Sequence, residues 1–124
     1  MGRSQGVIFG YGAVIPTSEF VAEFPDTFDY HPDYKEWIPN EEVLDELVIP
    51  GGRVFYSAMD TTDEIFVATK SSADYRFEKG YIFHVSVEID LMKINQERQI
   101  IEPWLRETFQ GATINYLHYG YYTA

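Results

Sequence analysis

The chain has 124 residues, 45% hydrophobic and 17% aromatic, and its 20 acids against nine bases give a net charge of −11. That balance predicts one globular domain, residues 1–124, with apolar material enough for its own core. With no cysteine, disulfides, thiolate zinc sites and a cysteine nucleophile are excluded, and no apolar run reaches the roughly 18 residues of a membrane span.

"GVIFGYGAVIP" reads as the first strand. Val7, Phe9, Tyr11, Ala13 and Ile15 share one face, and Ile8, Gly10, Gly12 and Val14 share the other. Two glycines on one face predict a ring or backbone approaching closely there. Because those glycines interrupt the run and no small-residue cleavage site follows, a signal peptide is not expected. Gly6 stands where N-myristoylation requires serine or threonine. After Pro16, Thr17 or Ser18 is expected to cap a short helix that turns Phe20, Val21 and Phe24 inward. An aromatic and acidic loop, residues 25–39, comes next, with few chances for regular structure. Asn40 is placed to cap a second helix, "EEVLDELV", whose buried stripe is Val43, Leu44 and Leu47.

From "IPGG" onward the period changes to two. "RVFYSAM" and "EIFVATKS" read as a hairpin joined by the turn from Asp60 to Asp63. "YIFHVSVEI" (81–89) alternates most cleanly and is expected as a central strand with Tyr81, Phe83, Val85, Val87 and Ile89 facing the core. A helix then runs to Phe109, with Gly111 as its stop and Pro103 in the first turn of its final segment. "ATINYLHYGYYT" closes the chain as a strand rich in tyrosine, either a half-buried edge or a second contact surface. The predicted class is α+β: a mostly antiparallel sheet of about five strands packed with two or three helices.

Metal, catalytic and nucleic-acid motifs are incomplete. Asp29, His31 and Asp33 match the first three ligand positions of an EF-hand loop, but Tyr34 replaces its glycine and Asn40 its glutamate. No metal or cofactor is therefore expected. His84 and Ser86 form one H-x-S, half of the pair that two-histidine phosphoesterases use, because His118 is followed by Tyr119 and Gly120. No nucleophile elbow or dinucleotide fingerprint occurs, so no catalytic residue is assigned. A small hydrolase using His84 is the alternative reading, and a virion or assembly component a third. The nine basic residues are scattered, so direct nucleic-acid binding is not expected.

The charge is concentrated instead. Residues 17–49 hold ten acids against Lys35 alone, a net −9. Asp26, Asp29, Asp33, Glu36, Glu41, Glu42, Asp45 and Glu46 lie there together with Tyr30, Tyr34 and Trp37. Rings rimmed by carboxylates make interface anchors, and an acidic surface is drawn to a basic groove of the kind that holds nucleic acid. These eleven residues are the predicted partner-binding surface. The C-terminal strand is a second candidate, for pairing between copies of the chain.

The order of elements resembles that of small acidic bacteriophage accessory proteins. Those open with a "GYG" strand, carry a strand ending in lysine and serines (here Lys70, Ser71 and Ser72), and close with a tryptophan-bearing helix (Trp104) and an aromatic strand containing glycine (Tyr119 to Tyr122). The loop from Pro25 to Pro39 departs from that pattern. The resemblance implies a host-directed or anti-defence role in the host cytoplasm and supplies no catalytic residues.

Overall fold

The computed structural model describes residues 4–57, 63–78 and 89–123. Within them the chain runs β1 (Ser4–Pro16), α1 (Thr17–Glu23), β2 (Phe28–His31), β3 (Glu36–Pro39), α2 (Glu41–Glu46), β4 (Gly52–Phe55), β5 (Glu64–Thr69), β6 (Ala73–Glu78), α3 (Leu91–Thr108) and β7 (Asn115–Thr123). The architecture is α+β, with a five-stranded antiparallel sheet and a separate two-stranded ribbon. The predicted strand 81–89, Ile89 excepted, and His84 lie outside the described residues, as does most of the turn from Asp60 to Asp63.

The described sheet is organised around β1. Along one edge β7 pairs with it from Ser4↔Thr123 to Gly12↔Asn115. Its other edge is shared, β6 taking Ser4 to Phe9 and β5 taking Gly12 to Pro16. Both run antiparallel to β1, so they are successive halves of one strand. Gly12 faces Ala68 and Phe9 faces Ala73, which sets four residues, Thr69 to Ser72, against Gly10 and Tyr11. This is a bulge of two extra residues, and bulges bend a strand and leave backbone groups to be satisfied.

Side chains do that here. The Tyr11 N–H donates to Thr69 Oγ1 (3.3 Å), and the Ser72 hydroxyl donates to the Thr69 carbonyl (2.7 Å). Thr69 Oγ1 and Ser72 Oγ lie 2.9 Å apart. Since the Ser72 proton is already committed, the Thr69 hydroxyl is the donor between them. Ser71 donates both its N–H and its hydroxyl to the Glu97 carboxylate of α3, each at 2.7 Å. The Lys70 N–H donates to the carbonyl of Gly51 (3.2 Å), in the turn before β4. Gly51 has φ +69° and follows Pro50, with the Gly52 N–H returning to the Ile49 carbonyl (3.1 Å). That is the geometry that reserves this turn position for glycine.

The alternation read from β1 is the one observed. Tyr11, Ala13 and Ile15 join the main core with Phe20, Phe28, Ile65, Val67, Ile94, Ile101, Leu105 and Phe109. Ile8 lies on the opposite face with Phe55, Phe66 and Ala68. α3 packs across β1 and β5, and its Glu102 accepts the Tyr11 hydroxyl at 2.6 Å. Arg98 and Arg106 flank Glu102 at 3.8 and 3.1 Å. The Tyr11 hydrogen bond, ahead of these guanidinium groups, holds the Glu102 carboxyl below its ordinary range.

Several boundary readings need correction. α1 begins at Thr17 with Pro16 as its N-cap, and neither Thr17 nor Ser18 provides a side-chain cap. Thr17 is buried, and its N–H is satisfied by the Asp63 carbonyl at 2.8 Å. Asn40 occupies the N-cap of α2 without a side-chain cap bond, and only Leu44 of the expected stripe is fully buried. α3 is one continuous helix with Pro103 inside it, so no new segment starts there. Pro103 is exposed, and water can satisfy the carbonyl one turn back that loses its N–H partner.

Candidate functional site: the acidic hairpin and helix

The segment between Pro25 and Pro39 is a β-hairpin, contrary to the irregular loop expected. Its base is fixed by Thr27, whose buried hydroxyl donates to the Phe24 carbonyl at 2.7 Å and whose carbonyl accepts the Asn40 N–H at 2.9 Å. Phe28 is buried beside Phe20 and Tyr56, with ring centroids 6.2 and 5.9 Å away. β2 and β3 then pair in the order Phe28↔Pro39, Asp29↔Ile38, Tyr30↔Trp37 and His31↔Glu36. Residues 32–35 form the turn, and Lys35 takes φ +51° to close it.

Strand alternation separates the candidate residues into two faces. Phe28, Tyr30, Trp37 and Pro39 share the inner one, where Trp37 is half-buried against the main core. Tyr30 meets Trp37 edge-on at 5.0 Å and stays 49% exposed. Such a cross-strand aromatic pair stabilises a ribbon by roughly 0.2–1 kcal/mol. Asp29, His31, Glu36 and Ile38 share the outer face. Tyr34, at the tip, is 71% exposed and lies over the His31 ring at 4.7 Å. His31 Nδ1 is buried without a hydrogen-bond partner.

α2 carries the acidity onward from the hairpin base. Glu41, Glu42, Asp45 and Glu46 are exposed, while Leu44 anchors the helix to the core. The phenol that packs on Phe28 registers this helix. Burial pushes the Tyr56 pKa up, and Glu41 and Asp45 push it further, against a smaller opposing effect of Arg53. Tyr56 thus packs on Phe28 of the hairpin and lies within electrostatic reach of α2. Asp26, Asp29 and Asp33 are exposed and Glu36 is half-buried. The ion pairs seen among the described residues lie on α3, between Glu102 and its two arginines. None involves the eight hairpin and α2 acids.

The predicted residues lie on two elements joined at Thr27 and Asn40, with their rings in different roles. Tyr30 and Tyr34 present surface, and Trp37 is largely a roof over the core. His31 and Ile38 on the outer face were missed; the alternation of "FDYH" and "EWIP" about "PDYK" carries the signal that places them. Asp29, His31 and Asp33 do not gather, since no three potential metal ligands cluster among the described residues. No described helix is long and apolar enough to cross a membrane.

The tyrosines of β7 whose side chains are described are each held by a hydroxyl hydrogen bond. Tyr116 donates to Asn95 Oδ1 at 2.6 Å and meets Tyr11 edge-on at 4.9 Å. Tyr119 stacks on Phe66 at 5.6 Å and donates to the Glu64 carbonyl at 2.9 Å. Burial, with a smaller effect of the Glu64 carboxylate, pushes the Tyr119 hydroxyl up to about 12. Its ordinary value is about 10. The folded state therefore favours the neutral phenol, and the stability tied to it is complete below about pH 10 and lost as pH rises through 12. Ultraviolet titration of phenolate should show a late component that shrinks by one phenol in Tyr119→Phe, since Tyr56 is also pushed up. If the two titrations superimpose, Tyr119 is not held in this way.

Comparison with protein-family models, curated proteins and solved structures gives no match to this chain.

Proposed function

We propose that this is a non-enzymatic binding protein whose hairpin and α2 engage a basic surface on a partner protein. The observation that carries the reading is the group of eight carboxylates that make no ion pair among the described residues, most of them exposed, on the same two elements as the exposed rings of Tyr30 and Tyr34. Unpaired surface charge of one sign accelerates encounter with its opposite, and rings supply the desolvated contacts that hold a complex. A groove that normally takes nucleic acid is the basic surface such a patch fits best. The resemblance to phage accessory proteins supports a host protein as its owner, met in the host cytoplasm and inhibited or redirected there, as in anti-defence.

Capture from a bacterial lysate at low salt, followed by binding kinetics at two ionic strengths, tests the proposal. Converting Asp29, Asp33 and Glu36 together to their amides should slow association and flatten its salt dependence. Tyr34→Ala should leave association alone and speed dissociation about tenfold, the effect of an anchor worth roughly 1.4 kcal/mol. Trp37→Ala is a poorer probe because its ring also packs on the core, so a lowered melting temperature is expected with it. Salt-insensitive association that ignores the triple amide would overturn the acidic surface as the contact.

A further inference from the structure

A separate pocket opens where α3 begins, between that helix and the β1–β7 pair. Its floor and walls include Phe9, Ile89, Leu91, Ile94, Tyr116 and His118, and its volume is about 210 Å³. We propose that this pocket binds one small uncharged aromatic molecule, a phenol or an indole, whose polar atom meets the His118 imidazole.

Size decides the scale of the ligand. A cavity of about 150 Å³ lined by aliphatic and aromatic side chains accommodates benzene, whereas sites for drug-sized or cofactor-sized ligands begin near 300 Å³. A pocket of 210 Å³ therefore suits a single or fused ring. Wall chemistry decides its character. Phe9 and His118 stand side by side at 5.9 Å with their planes tilted by 42°. Tyr116 is held in place through its hydroxyl bond to Asn95, so it presents its ring. Ile89, Leu91 and Ile94 supply an aliphatic roof. None of the described lining residues carries a carboxylate, ammonium or guanidinium group, and the chain's charge of −11 opposes an anion. Among the described residues the His118 nitrogens make no hydrogen bond, so this exposed imidazole can meet a polar atom of the ligand. The mouth is open, because Leu91 is 57% exposed and Ile89 39%.

The pocket is tested by following main-chain and side-chain resonances during titration with indole, phenol, benzene and benzoate. Indole and phenol are expected to saturate one site, with shifts centred on Phe9, Leu91 and His118, and benzoate to bind at least about tenfold more weakly. Leu91→Glu places a carboxylate at the exposed rim without touching the core, and should weaken indole by about tenfold or more. His118→Phe should keep benzene binding and erase the preference for phenol over benzene. Tyr34→Ala, on the hairpin tip, should leave indole affinity unchanged. Shifts that never saturate, that scatter over exposed rings elsewhere, or that survive Leu91→Glu unchanged would overturn the proposal.

Discussion

Gly12→Val is expected to prevent folding or to destabilise the protein by about 4 kcal/mol or more, the range reserved for severe core lesions. A Cβ at this position would lie 2.1 Å from the Val67 carbonyl oxygen and 2.6 Å from the Ala68 Cα. Both are main-chain atoms of β5, which no side-chain rotation can move aside. β1 cannot retreat either, since Gly12 also pairs with Asn115 of β7 on its other edge. A typical domain has only about 5–15 kcal/mol of net stability, so most of it should vanish. Gly120→Ala is the matched control, because its Cβ meets nothing nearer than the Gly6 carbonyl oxygen at 3.9 Å. Thermal melts of both variants check the pair. A Gly12→Val protein melting within a few degrees of the parent would mean that β1 and β5 are not this close.

Phe20→Ala should cost about 3–5 kcal/mol, as large-to-small changes at fully buried rings do. Phe20 is 0% exposed and touches the rings of Phe24, Phe28 and Phe109 at 4.9, 6.2 and 6.0 Å. The cavity would open where α1, the hairpin base and the end of α3 converge, so Phe28 would lose part of its seat. Urea unfolding gives the magnitude, and hydrogen exchange at β2 should rise before exchange at β1. Val21→Ala, half-buried on the same helix, should cost much less. A loss below about 1 kcal/mol for Phe20→Ala would remove this ring from the core.

The sequence was most legible where one local pattern met one buried face. Strand β1 alternates because the sheet has a core on each side, with Tyr11, Ala13 and Ile15 on one and Ile8 on the other. The antiparallel pairing of β4 with β5, from Gly52↔Thr69 to Phe55↔Phe66, also followed from local pattern. β6 was not anticipated, although "ADYRFE" alternates, with Asp74, Arg76 and Glu78 at one set of positions and Ala73, Tyr75 and Phe77 at the other; its register with β1 is what the structure adds. Pro103 misled because a helix-breaking rule assumes that the orphaned carbonyl has no water, and this proline is exposed. The same limit applies to the candidate surface. Its charge was readable residue by residue, but whether Trp37 or Tyr34 points outward depends on Phe28 sitting beneath Phe20. That contact joins two elements and leaves no local trace.

The pairing of β1 with β7 has a consequence for the order in which the fold can assemble. Ser4 lies opposite Thr123, so β1 meets β7 only after all the elements between them have been made. Until then β1, with its apolar side chains on both faces, has one edge open, and its other edge must wait for the bulged strand of β5 and β6. Pairings this distant in sequence raise the contact order and slow folding toward the millisecond-to-second regime. A nascent chain halted before residue 115 would expose β1 as an unprotected edge, the kind of surface on which chaperones act and aggregates grow. The pairing of β7 thus closes the sheet around β1, and changes in β7 should be felt first in the yield of folded protein.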